Sequence, residues 1–494
     1  MDIKNIAVIA SRLRCVDAIS VEAEKWIDKY SKLGYNVHLI AGKFGEPVHL
    51  PNLELPEIDY KHPEIRGVKS IVFGTKLDKQ GKKAAEILLN NLVTRIKNPL
   101  KAYLAKNKID MISVEDSLVS MKNLPLNMAL SQIIKELNIP TISRCHYLPW
   151  DNAYFTKFDN FPKIIETIPV IERHVVHIAN TESTKKKLND LKKISSKVIP
   201  NTIDIDKLAK PDDYNKEFRK EFGIPDDVII FLQPTRVKRN KAVERSVRIV
   251  SEINEVTKKD NVLIITGSPM YQRGNYFEAI IRRIKKLNVN VIFANDRIFL
   301  SRHQNKERRF YSIGDAYLHA DFVLYPNDSD AFGNPVIEAC AYRKPLIVNS
   351  YPNLKEITDR GFRFIVMDNK VTKETISDIY QLMLDRKKMD EMTENNFNLL
   401  RQHFSTEILD EVLIPILNSL ERTPSFMTRI TKRIFGPKQG KESHGRKDGK
   451  DLPKERKKES FKGEKRYGQV DRSKTLKNKK GGYKEPSPKD RKAP

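Results

Sequence analysis

The sequence predicts an α/β protein with two doubly wound parallel sheets, each in its own domain, facing one another across a cleft and followed by a disordered basic tail. Three observations predict it. Short apolar runs alternate with helix-length amphipathic stretches from the first residues to about residue 420, the pattern of a parallel sheet wound with helices. The alternation occurs twice, with a polar, acidic break after Val198-Ile199-Pro200-Asn201-Thr202. Charge is also uneven: of the net +26, +12 falls in residues 438–494, where 21 Lys and Arg meet 9 Asp and Glu.

Taken in order, residues 3–10 form a strand through Ile3, Ile6, Ala7, Val8, Ile9 and Ala10, and a helix runs from about Ser20 to Leu33 with Gly34 as its stop. With the run Val37 to Gly42 this makes a βαβ unit. Strands follow at 111–114, 140–143 and 175–179, separated by helices at about 80–106, 125–137 and 163–173. The second set has strands at 228–232, 262–267, 289–293, 322–325 and 345–348, and after Lys373 the chain is helical to about Leu420. The expected domains are therefore 1–198 and 199–400. A helix at 401–421 is expected to pack back on the body, and a short basic amphipathic segment at 422–437 precedes the tail of 438–494. In that segment Phe426, Ile430 and Ile434 lie near one helical face, which suits docking on the body or interfacial contact with a membrane.

A chain of 494 residues exceeds one comfortable core, and 39% apolar residues suffice to build two. No apolar run is long enough to span a bilayer, and Met1-Asp2-Ile3-Lys4 leads into a core-type strand, so a cytoplasmic location is expected. Cys15, Cys145 and Cys340 lack both the number and the spacing of a disulfide framework or a zinc site. The tail has too few apolar residues to offset ordering entropy. It reads as a solubilising tail, or as a polyelectrolyte contact with nucleic acid or with an anionic membrane at its inner face.

The chemistry concentrates near residue 330. The run Ala320 to Pro326 is a buried strand, and Asp330-Ala331-Phe332-Gly333-Asn334-Pro335-Val336-Ile337-Glu338-Ala339 breaks into a loop that opens a helix. Two carboxylates eight residues apart flank a Gly-Asn-Pro turn, so bare amides of a helix start and two acidic side chains can meet one ligand. Amides there suit phosphate and carboxylates accept from sugar or ribose hydroxyls. A nucleotide-sugar combines both. Asp328-Ser329-Asp330 imitates a metal-binding Asp-x-Asp, but the turn and helix behind it already account for Asp330.

Asp330 to Ala339 resembles the carboxylate-spaced signature of retaining family 4 glycosyltransferases of the GT-B fold, in which two Rossmann-like domains face each other. Other stretches agree in order. Gln233-Pro234-Thr235-Arg236-Val237-Lys238-Arg239-Asn240-Lys241 follows the first strand of the second half, Ile199 to Asp204 resembles the interdomain Pro-Asn-x-x-Asp segment, and Arg144-Cys145-His146-Tyr147 resembles a His-bearing loop. The likeness is to the subgroup with sucrose-synthesising and mannosylglucosylglycerate-type enzymes. It implies an N-terminal acceptor-side domain, a C-terminal nucleotide-sugar donor domain, and transfer of a hexose with retention to a small-molecule, glycan or lipid hydroxyl. By this resemblance His146, Arg236, Lys241 and Asp330 are the catalytic set. Arg236 and Lys241 neutralise the leaving diphosphate, so that no metal and no cofactor is required. Phe332, Gly333, Asn334 and Glu338 bind the donor, Glu338 through the ribose. Asp17, Ser20 and Glu22 are acceptor-side candidates, and equally caps of the first helix, with Ser20 as its N-cap.

The sequence departs from the family pattern at Asp330, usually Glu, at Ala331, Ala242 and Ala18, usually Gly, and at Gln272-Arg273-Gly274, usually acidic. These departures leave two other readings open: a non-catalytic binding protein tethered by its tail, and a nucleotide-sugar epimerase on the same fold.

Overall fold

The computed structural model describes residues 3–421, apart from 16, 75, 152–154, 156–160, 162–167, 270–274 and 306. The first lobe is a seven-stranded sheet of order β3-β2-β1-β4-β5-β6-β7, every neighbouring pair parallel. Its strands are β1 (Asn5–Ala10), β2 (Asn36–Ala41), β3 (Asn52–Glu54), β4 (Met111–Glu115), β5 (Thr141–Cys145), β6 (Val175–Ala179) and β7 (Ser196–Val198). The side chains of β1 alternate between faces as the pleat requires. Ala7 and Ile9 pack with the helices Pro63–Val72, Lys79–Lys106 and Leu124–Leu137. Ile6, Val8 and Ala10 pack with the helix Ala18–Lys32 on the other side.

The second lobe is a six-stranded parallel sheet of order β10-β9-β8-β14-β15-β16. It consists of β8 (Ile230–Gln233), β9 (Val262–Ile265), β10 (Asn290–Phe293), β14 (Phe322–Tyr325), β15 (Leu346–Asn349) and β16 (Ile365–Met367). A small sheet of β11 (Ile298–Phe299), β12 (His303–Gln304) and β13 (Arg309–Ser312) stands beside it. β8 again splits its faces, Ile230 and Leu232 to one core and Phe231 to the other. Continuous apolar runs, buried on both faces, are what a covered parallel sheet demands.

The lobes are joined by two crossings that pair with each other. Ile203 N–H donates to the Phe404 carbonyl at 2.7 Å, and Thr406 N–H donates to the Ile203 carbonyl at 3.0 Å. Past the second crossing the helix Ile408–Glu421 returns to the first lobe, where Leu409, Leu413, Ile416, Leu417 and Leu420 enter the core beneath the first helix. Each such side chain contributes roughly 1.5–3 kcal/mol.

Three expectations change. The first helix starts at Ala18 with Asp17, not Ser20, as its N-cap, because the Asp17 carboxylate accepts from Ser20 N–H at 3.1 Å. The described residues 168–173 of the expected helix at 163–173 are not helical. The helix Pro63–Val72, the small sheet and β16 were not visible as patterns, being short or half exposed. The segments 422–437 and 438–494 lie outside the described residues. Among the described residues no helix is long and apolar enough to cross a membrane.

Candidate active site

In each sheet the strand order reverses at one place, between β1 and β4 in the first and between β8 and β14 in the second. Ligands of open parallel sheets bind beyond the carboxyl ends of the strands flanking such a point. The predicted residues gather at both places.

At the second-sheet point, Lys241 lies beyond β8 and Asp330 beyond β14. The Lys241 ammonium meets Asp330 Oδ2 at 2.7 Å. That oxygen also accepts from Tyr325 OH at 2.7 Å and Asn327 Nδ2 at 3.3 Å, while Oδ1 has, among the described residues, only the Phe332 N–H at 3.5 Å. Burial opposes ionisation of Asp330, but the Lys241 charge and these hydrogen bonds outweigh it and hold the carboxyl below its ordinary range. Arg236 is exposed and, among the described residues, has no carboxylate partner. Between these two cations sits Lys238, whose ammonium is pushed down by burial and then by Arg236 and Lys241. Three cations with one carboxylate between them form a site short of negative charge.

The turn after Asp330 is fixed by sterics. Gly333 has φ +100°, and a Cβ there would lie 2.2 Å from the Tyr351 hydroxyl, which itself donates to the Phe332 carbonyl at 3.2 Å. The helix Asn334–Ala341 follows with Gly333 as N-cap and Pro335 in its first turn, so Gly333 and Asn334 present helix-start amides. Glu338, one turn after Asn334, is half-buried and accepts from Tyr317 OH at 2.7 Å. Burial raises its carboxyl above the ordinary value, against the Tyr317 hydrogen bond. Asp328 pairs separately with Arg245 at 2.7 Å, so here Asp328 and Asp330 meet different cations. Ala242 adopts φ +46° at the start of the helix Val243–Thr257, a conformation that glycine takes without penalty. Gln272-Arg273-Gly274 lies outside the described residues.

The first-sheet point differs from expectation. Asp17 borders a pocket with Ser11, Arg12, Tyr60, Asp116 and Lys122. Ser20 and Glu22 are not open to it. Ser20 is fully buried and its Oγ accepts from Cys15 N–H at 2.7 Å. Glu22, 1% exposed, holds Lys25 and accepts from Asn334 Nδ2 at 3.2 Å across the cleft. Asn334 Oδ1 in turn accepts from Asn201 Nδ2 at 2.7 Å. The Asn334 side chain therefore bridges the lobes. A second bridge is Glu356, whose two oxygens accept from Glu182 N–H and Ser183 N–H at 2.8 Å each, at the start of the helix Glu182–Lys192.

His146 is buried, with Nε2 3.0 Å from Glu115 Oε2. Glu115 also takes Arg144 Nη1 at 3.1 and 3.2 Å. Next to it, Asp116 Oδ1 accepts from His146 N–H at 3.2 Å and Tyr147 N–H at 3.0 Å. Tyr147, 38% exposed, stands among charged groups of both lobes, Asp116 and Asp17 of the first and Asp330 and Arg236 of the second. Sequence reasoning missed Glu115, Asp116 and Lys238. The signal for the first two was available, since they directly follow the apolar run of β4, at the carboxyl end of a strand beside the reversal.

Residues 215–399 match the family model described as glycosyl transferases group 1. The chain carries a glycosyltransferase group 1 domain. This glycosyltransferase is 26% identical over 441 residues to mannosylglucosylglycerate synthase of Thermotoga maritima, covering 83% of this chain and 98% of the relative. The enzyme of the same name from Petrotoga mobilis is 24% identical, with 82% and 99% covered. Among solved structures, sucrose-phosphate synthase of Thermosynechococcus elongatus superimposes with a TM-score of 0.59 at 15% identity, covering 85% of this chain and 99% of the other. Anabaena HepE in complex with UDP and glucose gives a TM-score of 0.59 at 13% identity, with 84% and 100% covered. The glycosyltransferase has the GT-B fold.

Proposed function

We propose that the chain is a retaining hexosyltransferase that moves a hexose from a nucleotide-diphosphate sugar to an acceptor hydroxyl without a metal ion. The observation that carries this reading is the Lys241–Asp330 ion pair at the second-sheet reversal, with Arg236 and Lys238 beside it and helix-start amides opposite. Cations gathered at one position stabilise charge that grows on a leaving diphosphate. That role is the support for metal independence. Asp330 Oδ1, lightly used, receives a sugar hydroxyl, and Glu338 receives ribose hydroxyls with the oxygen that Tyr317 leaves. Solved neighbours of this fold carry UDP or UDP with glucose, which supports a nucleotide-sugar here.

In the proposed step the bond from the anomeric carbon to the phosphate oxygen breaks and the bond to the acceptor oxygen forms on the same face. The acceptor proton passes to the departing phosphate oxygen. His146, from the other lobe, contacts the transferred sugar, and Asp17 borders the acceptor.

The test is a donor screen with UDP-, GDP- and ADP-hexoses against small-molecule and lipid acceptors, following diphosphate release and hexose-shifted masses, with the anomeric configuration read by NMR. Asp330→Ala and Glu338→Ala are each expected to abolish transfer, and activity is expected to persist in EDTA. Unchanged product yield in both variants sinks the site assignment. Inverted product sinks retention.

A further inference from the structure

The two consecutive acids that end β4 turn to the same loop by different routes. Glu115 is buried, its side chain fully shielded, and its Oε2 takes both Arg144 Nη1 at 3.1 Å and His146 Nε2 at 3.0 Å. Arg144 is equally enclosed, its guanidinium 4.1 Å from the centre of the Trp26 ring and 3.5 Å from the Glu22 carbonyl. Asp116, 4% exposed, stands at φ +57°, in the left-handed region that non-glycine residues seldom adopt. Its N–H donates to the Arg144 carbonyl at 2.9 Å while its Oδ1 collects the N–H groups of His146 and Tyr147. Its other oxygen faces Lys122 at 3.4 Å, and Lys122 in turn lies 4.5 Å over the Tyr147 ring. A buried charge network of this kind is costly to assemble, and backbone strain persists only where the surroundings impose it.

We propose that Glu115 and Asp116 are positioning residues for glycosyl transfer: Glu115 fixes the ring of His146, and Asp116 fixes the backbone of His146 and Tyr147. The proposal rests on the reading that His146 contacts the transferred sugar. Its chemical content is specific. A carboxylate only accepts hydrogen bonds, and Glu115 is held ionised, since burial is outweighed by Arg144 and His146. His146 Nε2 must then carry a hydrogen and spend it inward. Nδ1 is the ring nitrogen left for substrate, and in the neutral imidazole it accepts from a sugar hydroxyl. Orienting partners behind a functional imidazole are worth about 10- to 100-fold where they have been removed from metal-bound histidines.

Removing Glu115 alone strands Arg144, so the test uses Glu115→Gln with Arg144→Gln, which keeps a neutral hydrogen-bonded pair. It is compared with His146→Ala, Asp116→Ala and Asp116→Asn, all in the full chain with folding checked by thermal melting. Expected for the double variant is a kcat lower by about 10- to 100-fold with donor KM within about threefold, the pattern of a lost transition-state contact. The 15N spectrum of histidine-labelled protein, with His146 assigned by its loss in His146→Ala, is expected to leave the single Nε2–H tautomer. Asp116→Asn keeps an acceptor oxygen and tolerates positive φ, so it is expected to retain activity that Asp116→Ala loses.

If His146→Ala lowers kcat while the folded double variant keeps both kcat and the tautomer signature, the positioning role is overturned and glycosyl transfer stands. If no hexose donor supports turnover, the functional reading fails instead. The 15N signature needs no substrate and still decides whether Glu115 sets the ring. Where the double variant does not fold, equal loss in Asp116→Asn and Asp116→Ala overturns the backbone clamp.

Discussion

The two reversal points are built from opposite materials. At the second sheet, cations outnumber anions and stand partly in solvent: Arg236 is exposed and Lys241 shares one carboxylate with Tyr325. At the first sheet, Glu115 and Asp116 are buried and engage Arg144, His146, the loop backbone and Lys122. One end gathers cations around a single carboxylate, and at the other the carboxylates hold a loop in place. Proximity to a strand end does not by itself make a carboxylate a ligand; its existing partners decide that.

The sharpest way to break the contrast is at Gly333, which only the second-sheet site requires to be glycine. Gly333→Ala is expected to cost about 2–4 kcal/mol, from a Cβ at positive φ and from collision with the buried Tyr351. Adding Tyr351→Phe should return part of it, as read by urea midpoints. No recovery would place the cost in the backbone alone.

Next in size is the bridge between the two regions. Glu356→Ala removes both acceptors from the start of the helix Glu182–Lys192 and is expected to cost about 1–2 kcal/mol. A larger radius of gyration in solution scattering should accompany it. An unchanged radius would mean that the paired crossings at Ile203 and Phe404 hold the lobes without it.

Glu338 and Glu115 should also respond to pH with opposite sign. Glu338 is raised above its ordinary 4.5, so its favourable contribution exists in full below pH 4.5 and is lost as pH rises through the folded value. Glu338→Gln, which stays neutral, should therefore melt higher than the parent at pH 7, with the gap closing below pH 4.5. Glu115 is depressed, so its contribution exists above pH 4.5 and is lost as pH falls through the folded value. Acid melting of the Glu115→Gln, Arg144→Gln variant should be shallower than that of the parent.

The smallest effect is expected at Ala242. Its φ of +46° makes Ala242→Gly stabilising by about 0.5–1 kcal/mol, through relief of left-handed strain partly offset by chain entropy. A lower melting temperature would show that the alanine methyl, which is fully buried, contributes packing worth more than the strain.

Legibility followed sequence distance. Asp330, Gly333, Asn334 and Glu338 belong to one turn and one short helix, so their grouping needed no tertiary information beyond a strand before and a helix after. Lys241 could be placed beyond β8 by order along the chain, but its ion pair spans 89 residues and becomes visible only when β8 and β14 lie side by side. Ser20 and Glu22 are buried rather than open to the pocket beside Asp17, because a helix start exposes some residues and buries others. Which face is buried depends on Cys15 and on Asn334, the latter 312 residues away.

Two parallel sheets and the acidic turn after β14 follow from local chain chemistry, since periodicity, glycine and helix-start chemistry act over a few residues. Strand order, the pairing of Glu115 with Arg144 and His146, and the bridges through Asn334 and Glu356 emerge on folding. Those depend on which chain segments become neighbours, and the energy of a buried charge is set by partners that local sequence does not specify.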